Sequence, residues 1–356
     1  MIFNINGLLN YYEYFFENYD HSKKLFLFGA GGGCEEAINM FIKHNIVPTG
    51  IYDNDNTKWG KYIKNIPIIS PSSLLEQEKE SIVFVSAPNN AQTIIPQLRD
   101  IMKKNNIYFF SNKSKNDLKE YKRFVTSNDF RIAQVYNMLE DNLSKKSLET
   151  MVISRLSNTY GLYEEIYSEI QYFPENIINF AEDEILLDVG AYNGDTIKLF
   201  IDKTSGKYKK IIAVEPNSNM NKSLNLLRKR NHNIEIINKG AYKEEKKLIF
   251  NQKDNQSASA FSYEQSENGV GVDKLDNMIK DKISLIKMDI EGFELEALEG
   301  ARGIIKKYRP KLAICIYHKY DDIVNIPEFI VELGMEYKLY IRHHSWDSGE
   351  TVLYAI

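Results

Sequence analysis

The chain has 356 residues, enough for two domains, and 43% of them are hydrophobic against 26% charged, a balance that excludes disordered and fibrous classes. Lys and Arg number 45 and Asp and Glu 49, so the formal charge of −4 carries none of the basic excess that announces nucleic acid. The two cysteines, Cys34 and Cys315, form neither CxxC nor zinc spacing, which excludes a disulfide framework and points to a reducing, cytoplasmic compartment.

Residues 1–20 have no basic leader and no clean apolar stretch, so they read as an amphipathic helix packed on a neighbour, with a homodimer contact as the alternative. No apolar run approaches the roughly 18 residues that span a bilayer. Strands are expected at 24–28, 48–53, 82–86 and 106–110, with helices at 35–44 and 91–104. Alternation of this kind gives a parallel sheet, here a small Rossmann-like α/β domain over 1–112. Over 113–180 the stretches LKEYKRF, RIAQVYNMLED and LETMVISRL have helical apolar spacing and form a connector or cap. A second series follows over 181–356, with strands at 185–189, 210–214, 234–238, 284–289 and 312–317. Two more, 336–342 and 351–356, are joined by a link too short for a crossover helix and must be antiparallel. Five parallel strands closed by an antiparallel hairpin form the Rossmann-like sheet of most enzymes that use S-adenosylmethionine.

The strand ILLDV runs directly into GAYNGDT at 190–196. Gly190 and Gly194 let the backbone turn sharply and approach a ligand, while Asp195 and Thr196 suit the first turn of the next helix. Parallel sheets bind ligands at the carboxyl ends of their strands, so Asp188 and, on the next strand, Glu215 of VEPN can reach polar groups there. An acid at 215 accepts hydrogen bonds from ribose hydroxyls, which implies a nucleoside-like cofactor. NAD fits the same residues, although GxGxxG is absent and the observed form is D-x-G-x-x-x-G-D-T.

LLDVGAYNGDT, VEPN, VDKLD at 272–276, LIKMDIEGFELEALEGA at 285–301, RPKLAICIYHKYDD at 309–322 and YIRHHSWDSGETVLYA at 340–355 together resemble the FkbM family of methyltransferases. The resemblance runs from about residue 172 to the C-terminus. It implies methyl transfer from S-adenosylmethionine to hydroxyls of sugars, glycolipids or macrolide-like products, with N-methylation left open. Asp188, Gly190, Tyr192, Gly194, Asp195, Thr196 and Glu215 would then hold the cofactor, with the backbone around Ala241 beside the adenine.

An alcohol is a poor nucleophile, so a base or a metal ion should help remove its proton. Candidates sit at the ends of the fourth and fifth strands: Lys287, Asp289, Glu291 and Glu294, then His318, Asp321 and Asp322. The expectation is that His318 takes the proton and Asp289 orients acceptor or cofactor. In a competing version Asp289, Glu291 and His318 bind a divalent cation such as Mg²⁺. Lys287 reads equally as a structural partner of an acid, His318 as a satisfied imidazole, and Glu294 and Glu296 as solvated helix residues. His343 and His344 are expected to be exposed or to rim the acceptor pocket. Tyr172 of QYFP would lid the site or equally pack at a helix end, and QSASAF at 256–261 would shape that pocket or form a turn.

The first domain has its own glycine loop, GAGGG at 29–33, with Asp53 at the end of the second strand where a ribose contact is expected. GAGGG with TGIYDNDNTKWGKYIKNIPIISPSSL resembles the N-terminal domain of sialic-acid and bacillosamine-type sugar acyltransferases, whose catalytic β-helix is missing here. That resemblance implies a nucleotide-linked sugar held by Gly29, Gly31, Gly32 and Asp53; NAD-linked sugar modification and a module for interaction alone are the other readings. For the whole chain the expectation is O-methylation of a sugar or nucleotide-linked intermediate in bacterial surface-glycan (capsule or lipooligosaccharide) or natural-product assembly. The alternative is a nucleotide-binding module without methyl transfer.

Overall fold

The computed structural model describes residues 15–16, 19–74, 80–87, 90–102, 106–109, 115–157, 163–251, 260–266 and 269–356. Most of the helix expected over 1–20, and residues 256–259 of QSASAF, lie outside them. The chain divides into two compact units. The first comprises Met1–Ala133, Lys146–Ser168 and His343–Gly349; the second comprises Gln134–Lys145, Glu169–Arg342 and Glu350–Ile356.

The first unit is built on strands β1 (Leu25–Phe28), β2 (Gly50–Tyr52), β3 (Tyr62–Ile63), β4 (Ile66–Ile69), β5 (Ile82–Val85) and β6 (Ile107–Phe109). They lie in the order β3-β4-β2-β1-β5-β6, parallel apart from the β3–β4 hairpin. β1 reads LFLF and is buried at all four positions, as a strand covered on both faces of a parallel sheet must be. Helix α1 (Gly32–Lys43) buries Cys34, Ala37, Ile38 and Phe41, an i, i+3, i+4, i+7 stripe. Phe41 meets Phe84 of β5 edge to face at 4.8 Å, and Phe15 joins both. Helix α2 (Ala91–Arg99) follows β5, and helices α3 (Lys115–Ser127), α4 (Asp129–Met138) and α5 (Asn142–Ser157) fill the region read as helical.

The second unit holds β7 (Ile185–Val189), β8 (Lys210–Val214), β9 (Ile234–Ile237), β14 (Leu285–Met288), β15 (Lys311–Cys315), β16 (Leu339–His343) and β17 (Thr351–Ala355). Their order is β16-β17-β15-β14-β7-β8-β9, with β15, β14, β7, β8 and β9 parallel and β17 antiparallel to β15. This is the expected mixed α/β sheet with its closing hairpin. Between β9 and β14 the chain makes a separate four-stranded sheet from β10 (Gly240–Ala241), β11 (Lys246–Asn251), β12 (Ala260–Gln265) and β13 (Val270–Asp273), which was not expected. Helices α6 (Asp195–Lys203), α7 (Asn221–Arg230), α8 (Leu275–Met278), α9 (Glu294–Glu299), α10 (Arg302–Tyr308) and α11 (Asp322–Glu332) complete the unit. β7 is buried throughout and lies at the centre, so the loop that leaves it opens beside the ends of two parallel neighbours. No described helix is long and apolar enough to cross a membrane.

Candidate active site

At the end of β7 the chain bends through Gly190, at φ +79°. A Cβ there would stand 1.8 Å from the carbonyl oxygen of Asp289, so only glycine lets the loop lie against the end of β14. The bend aims the backbone N–H of Tyr192 at Glu215 Oε2 (2.8 Å), and Asn217 N–H donates to Oε1 (2.7 Å). Burial raises the Glu215 carboxyl, and these two amides oppose the rise. A cleft of about 600 Å³ opens here, lined by Gly190, Tyr192, Glu215, Ala241, Asp289 and Glu291 among others. Six expected site residues therefore share one cavity.

The remaining cofactor candidates do not line it. Asp188 is fully buried, with Lys287 Nζ 3.0 Å from its Oδ1. Burial pushes Asp188 up to about 6 and the neighbouring ammonium opposes it; the acids around Lys287 outweigh its own burial and keep it protonated. Lys287 Nζ also donates to the carbonyl of Gly190 (2.8 Å). It thus acts on the glycine bend from inside the sheet, the structural alternative to its expected catalytic part. Gly194 stands where a Cβ would come 2.2 Å from Leu227, so it permits close packing of α6 on α7. Asp195 is exposed and accepts from the N–H of Thr196, itself buried in the first turn of α6. These residues build the turn that presents the loop.

Behind Asp289 and Glu291 lies His318, its side chain 9% exposed. Nε2 faces Asp289 Oδ1 at 3.4 Å and Glu291 Oε2 at 3.5 Å, while Nδ1 faces Glu294 Oε1 at 3.0 Å. Burial alone would lower the ring's pKa; the carboxylates, Glu294 first, outweigh it and lift it to about 9. The expected pairing of Asp289 with His318 is present. The ring does not line the cleft, however, and Glu291 and Asp289 stand at the cavity wall instead. Glu291 has φ +58°, an uncommon conformation for a side chain other than glycine, and burial raises its carboxyl. The cation trio expected at Asp289, Glu291 and His318 is also redrawn: the group whose ligating atoms lie within 4.8 Å of one another is Asp289, Glu294 and His318. Glu294, read as a solvated helix residue, is fully buried.

Sequence reasoning missed the wall beyond this cluster. Tyr172 is not a lid: it is buried at φ +63°, and its hydroxyl donates to Asp289 Oδ2 at 2.7 Å. Glu350 accepts from Gln171 Nε2 (2.6 Å) and from the Tyr317 hydroxyl (3.3 Å), and burial and the charge of Asp289 raise its carboxyl. Those residues come from three distant segments; QYFP, IYHK and the closing hairpin are each visible in the sequence, but nothing in it brings them together. His343 and His344 are not exposed. Both are buried; the His343 ring stacks on Tyr163 at 5.0 Å and burial lowers it to about 3, and His344 Nδ1 lies 2.7 Å from the carbonyl of Ser168.

In the first unit a cavity of about 770 Å³ is lined by Gly29, Gly31, Asp53, Asp55, Lys58 and Thr93 among others. Gly31 caps α1, and neither Gly31 nor Gly32 has an atom within 4 Å of where a Cβ would stand. Asp53 is taken up by its own loops: it accepts from Ala30 N–H (2.7 Å) and Asp55 N–H (2.8 Å) and pairs with Lys58 (3.1 Å). The acid expected to grip a ribose therefore holds the two strand-end loops together.

Comparison with known proteins bears on the fold and on one segment. The chain superposes on methyltransferase FkbM from Methylobacillus flagellatus KT with a TM-score of 0.67 and 21% identity, over 98% of this chain and 93% of that one. A fibrillarin/Nop5p complex (TM-score 0.33, 16% identity, 50% of this chain and 74% of that one) is far less similar. So is Aeropyrum pernix fibrillarin with natively bound S-adenosyl-L-methionine (0.31, 11%, 51% and 71%), and at such scores neither carries an argument. No curated protein matches the chain. The whole chain thus shares the fold of an FkbM methyltransferase, and residues 188–338, which hold the glycine bend, Glu215, Asp289 and His318, match the methyltransferase FkbM domain.

Proposed function

We propose that the protein transfers a methyl group from S-adenosylmethionine to a hydroxyl of a sugar or nucleotide-linked intermediate, in the assembly of a bacterial surface glycan or natural product. The observation that carries this reading is the cleft in which the Gly190 bend, Glu215, Asp289 and Glu291 meet. The cofactor supplies a methyl carbon activated by its sulfonium. Glu215 fits the ribose because each carboxylate oxygen, after accepting one backbone N–H, retains a lone pair for a hydroxyl. Val189, Ala241, Ile290 and Phe293 give the cleft the apolar wall a purine needs.

Glu291 takes the proton of the attacking hydroxyl. It is on the cleft wall, whereas Asp289 is engaged by the Tyr172 hydroxyl and His318 sits behind both. His318 is thereby a positioning residue that holds the two acids. The cavity of the first unit, with Gly29, Gly31 and Asp53 in its lining, takes the nucleotide part of an activated sugar in this reading.

Incubation with methyl-tritiated S-adenosylmethionine and a panel of nucleotide sugars tests the reading. Label is expected in a sugar product, and Glu291→Gln should cut its rate by roughly 10²–10⁴-fold, the size of a lost general base, without weakening S-adenosylhomocysteine binding. Transfer by that variant at the wild-type rate would remove Glu291 from the role. Label in no sugar of the panel would count against the acceptor class.

A further inference from the structure

Four buried atoms beyond the end of β14 make no hydrogen bond: Asp289 Oδ1, Glu294 Oε2 and both ring nitrogens of His318. Ion-pair contacts join the ring to Glu294 Oε1 at 3.0 Å and its Nε2 to Asp289 Oδ1 at 3.4 Å, which leaves Glu294 Oε2 as the one of the four with no contact of either kind. A buried carboxylate oxygen left without a partner is costly, so Glu294 Oε2 calls for an explanation. The four atoms belong to three side chains whose ligating atoms all come within 4.8 Å of one another.

Their arrangement is a ligand's. Glu294 Oε1 is tied down by the N–H of Ile290 at 2.8 Å, which fixes the carboxylate and leaves Oε2 free. Tyr172 holds Asp289 through Oδ2 at 2.7 Å, so that Oδ1 is turned to the His318 ring at 3.4 Å. Each acid is thus anchored by one oxygen and offers the other. A divalent ion with bonds of about 2.1 Å spans ligand atoms up to roughly 4.2 Å apart, and His318 Nε2 and Asp289 Oδ1, at 3.4 Å, fall inside that span. We propose that Asp289, Glu294 and His318 hold a divalent cation at the inner end of the cleft. Two carboxylates and one imidazole form a mixed oxygen–nitrogen set that suits Mn²⁺ better than Mg²⁺. Glu291, at 3.5 Å from His318 Nε2, stands next to the ion's position, where a metal-bound hydroxyl would be easier to deprotonate. The cation does not depend on the methyl-transfer reading.

The test is a titration of the purified full chain, stripped with chelator, with Mn²⁺ followed by calorimetry or by the loss of free-Mn²⁺ spin resonance. One ion per chain is expected, displaced by excess Mg²⁺. Glu294→Gln and Asp289→Asn, each checked for a wild-type melting curve, should weaken binding at least tenfold; two variants guard against either failing to fold. No binding at millimolar Mn²⁺, or wild-type affinity in both variants, would overturn the site. The same samples are titrated with S-adenosylhomocysteine: Mn²⁺ bound without it supports the cation while sinking the methyl-transfer reading, and the reverse sinks the cation alone.

Discussion

At position 190 a single methyl group decides the geometry of the loop. Gly190→Ala would force φ +79° on a side chain and drive its Cβ into the Asp289 carbonyl, so the loop or the end of β14 must move. A loss of stability of about 2 kcal/mol or more is expected in urea unfolding, together with loss of cofactor affinity. Lys287→Met tests the buried pair differently. It fills the same volume but strands Asp188 without its partner, which should cost about 3–5 kcal/mol, whereas the double change with Asp188→Leu should recover much of it. A catalytic Lys287 would instead leave stability intact and abolish turnover. The sequence made residues 188–196 and Glu215 readable because they sit in one contiguous strand-turn-helix and at the next strand end. The burial of Glu294 was not readable: in the sequence it is one candidate among several acids near a helix start, and His318 of IYHK meets it only in the fold.

At the scale of elements, the junction before α5 carries a pH dependence. Asp141 accepts from the N–H of Ser144 at 2.7 Å and pairs twice with Arg342 of β16, at 2.6 and 3.2 Å. Burial would raise its carboxyl, but the bonds from Arg342 and Ser144 win and hold it at about 2. A carboxyl depressed in the fold gives stability that is complete above its unfolded value of about 3.9 and is lost as the pH falls through 2. Unfolding free energy should therefore decline between about pH 4 and pH 2, and Asp141→Asn should flatten that part of the curve; equal slopes would contradict the pairing. The strands missed from the sequence have physical reasons as well. In the β3–β4 hairpin Lys64 and Asn65 both take positive φ, as in a type I′ turn, without the Asn-Gly or Asp-Gly signature that marks one. The sheet of β10 to β13 is built from short strands, Gly240–Ala241 having only two residues, so each offers little pattern to read.

For the whole molecule, five parallel strands and a closing hairpin were legible because apolar runs at strand spacing survive on both faces of a buried sheet. The Gly190 and Glu215 side of the cleft is local in sequence, and the cluster behind Asp289 is not: Gln171, Tyr172, Asp289, Glu294, Tyr317, His318 and Glu350 are brought together only by the topology. One cofactor cleft, gripped by Glu215, underlies the function proposed for the chain. Calorimetric titration with S-adenosylhomocysteine tests it most directly. One site per chain is expected, weakened at least tenfold by Glu215→Ala with the fold retained. No heat of binding in the wild type, or equal affinity in that variant, would contradict it.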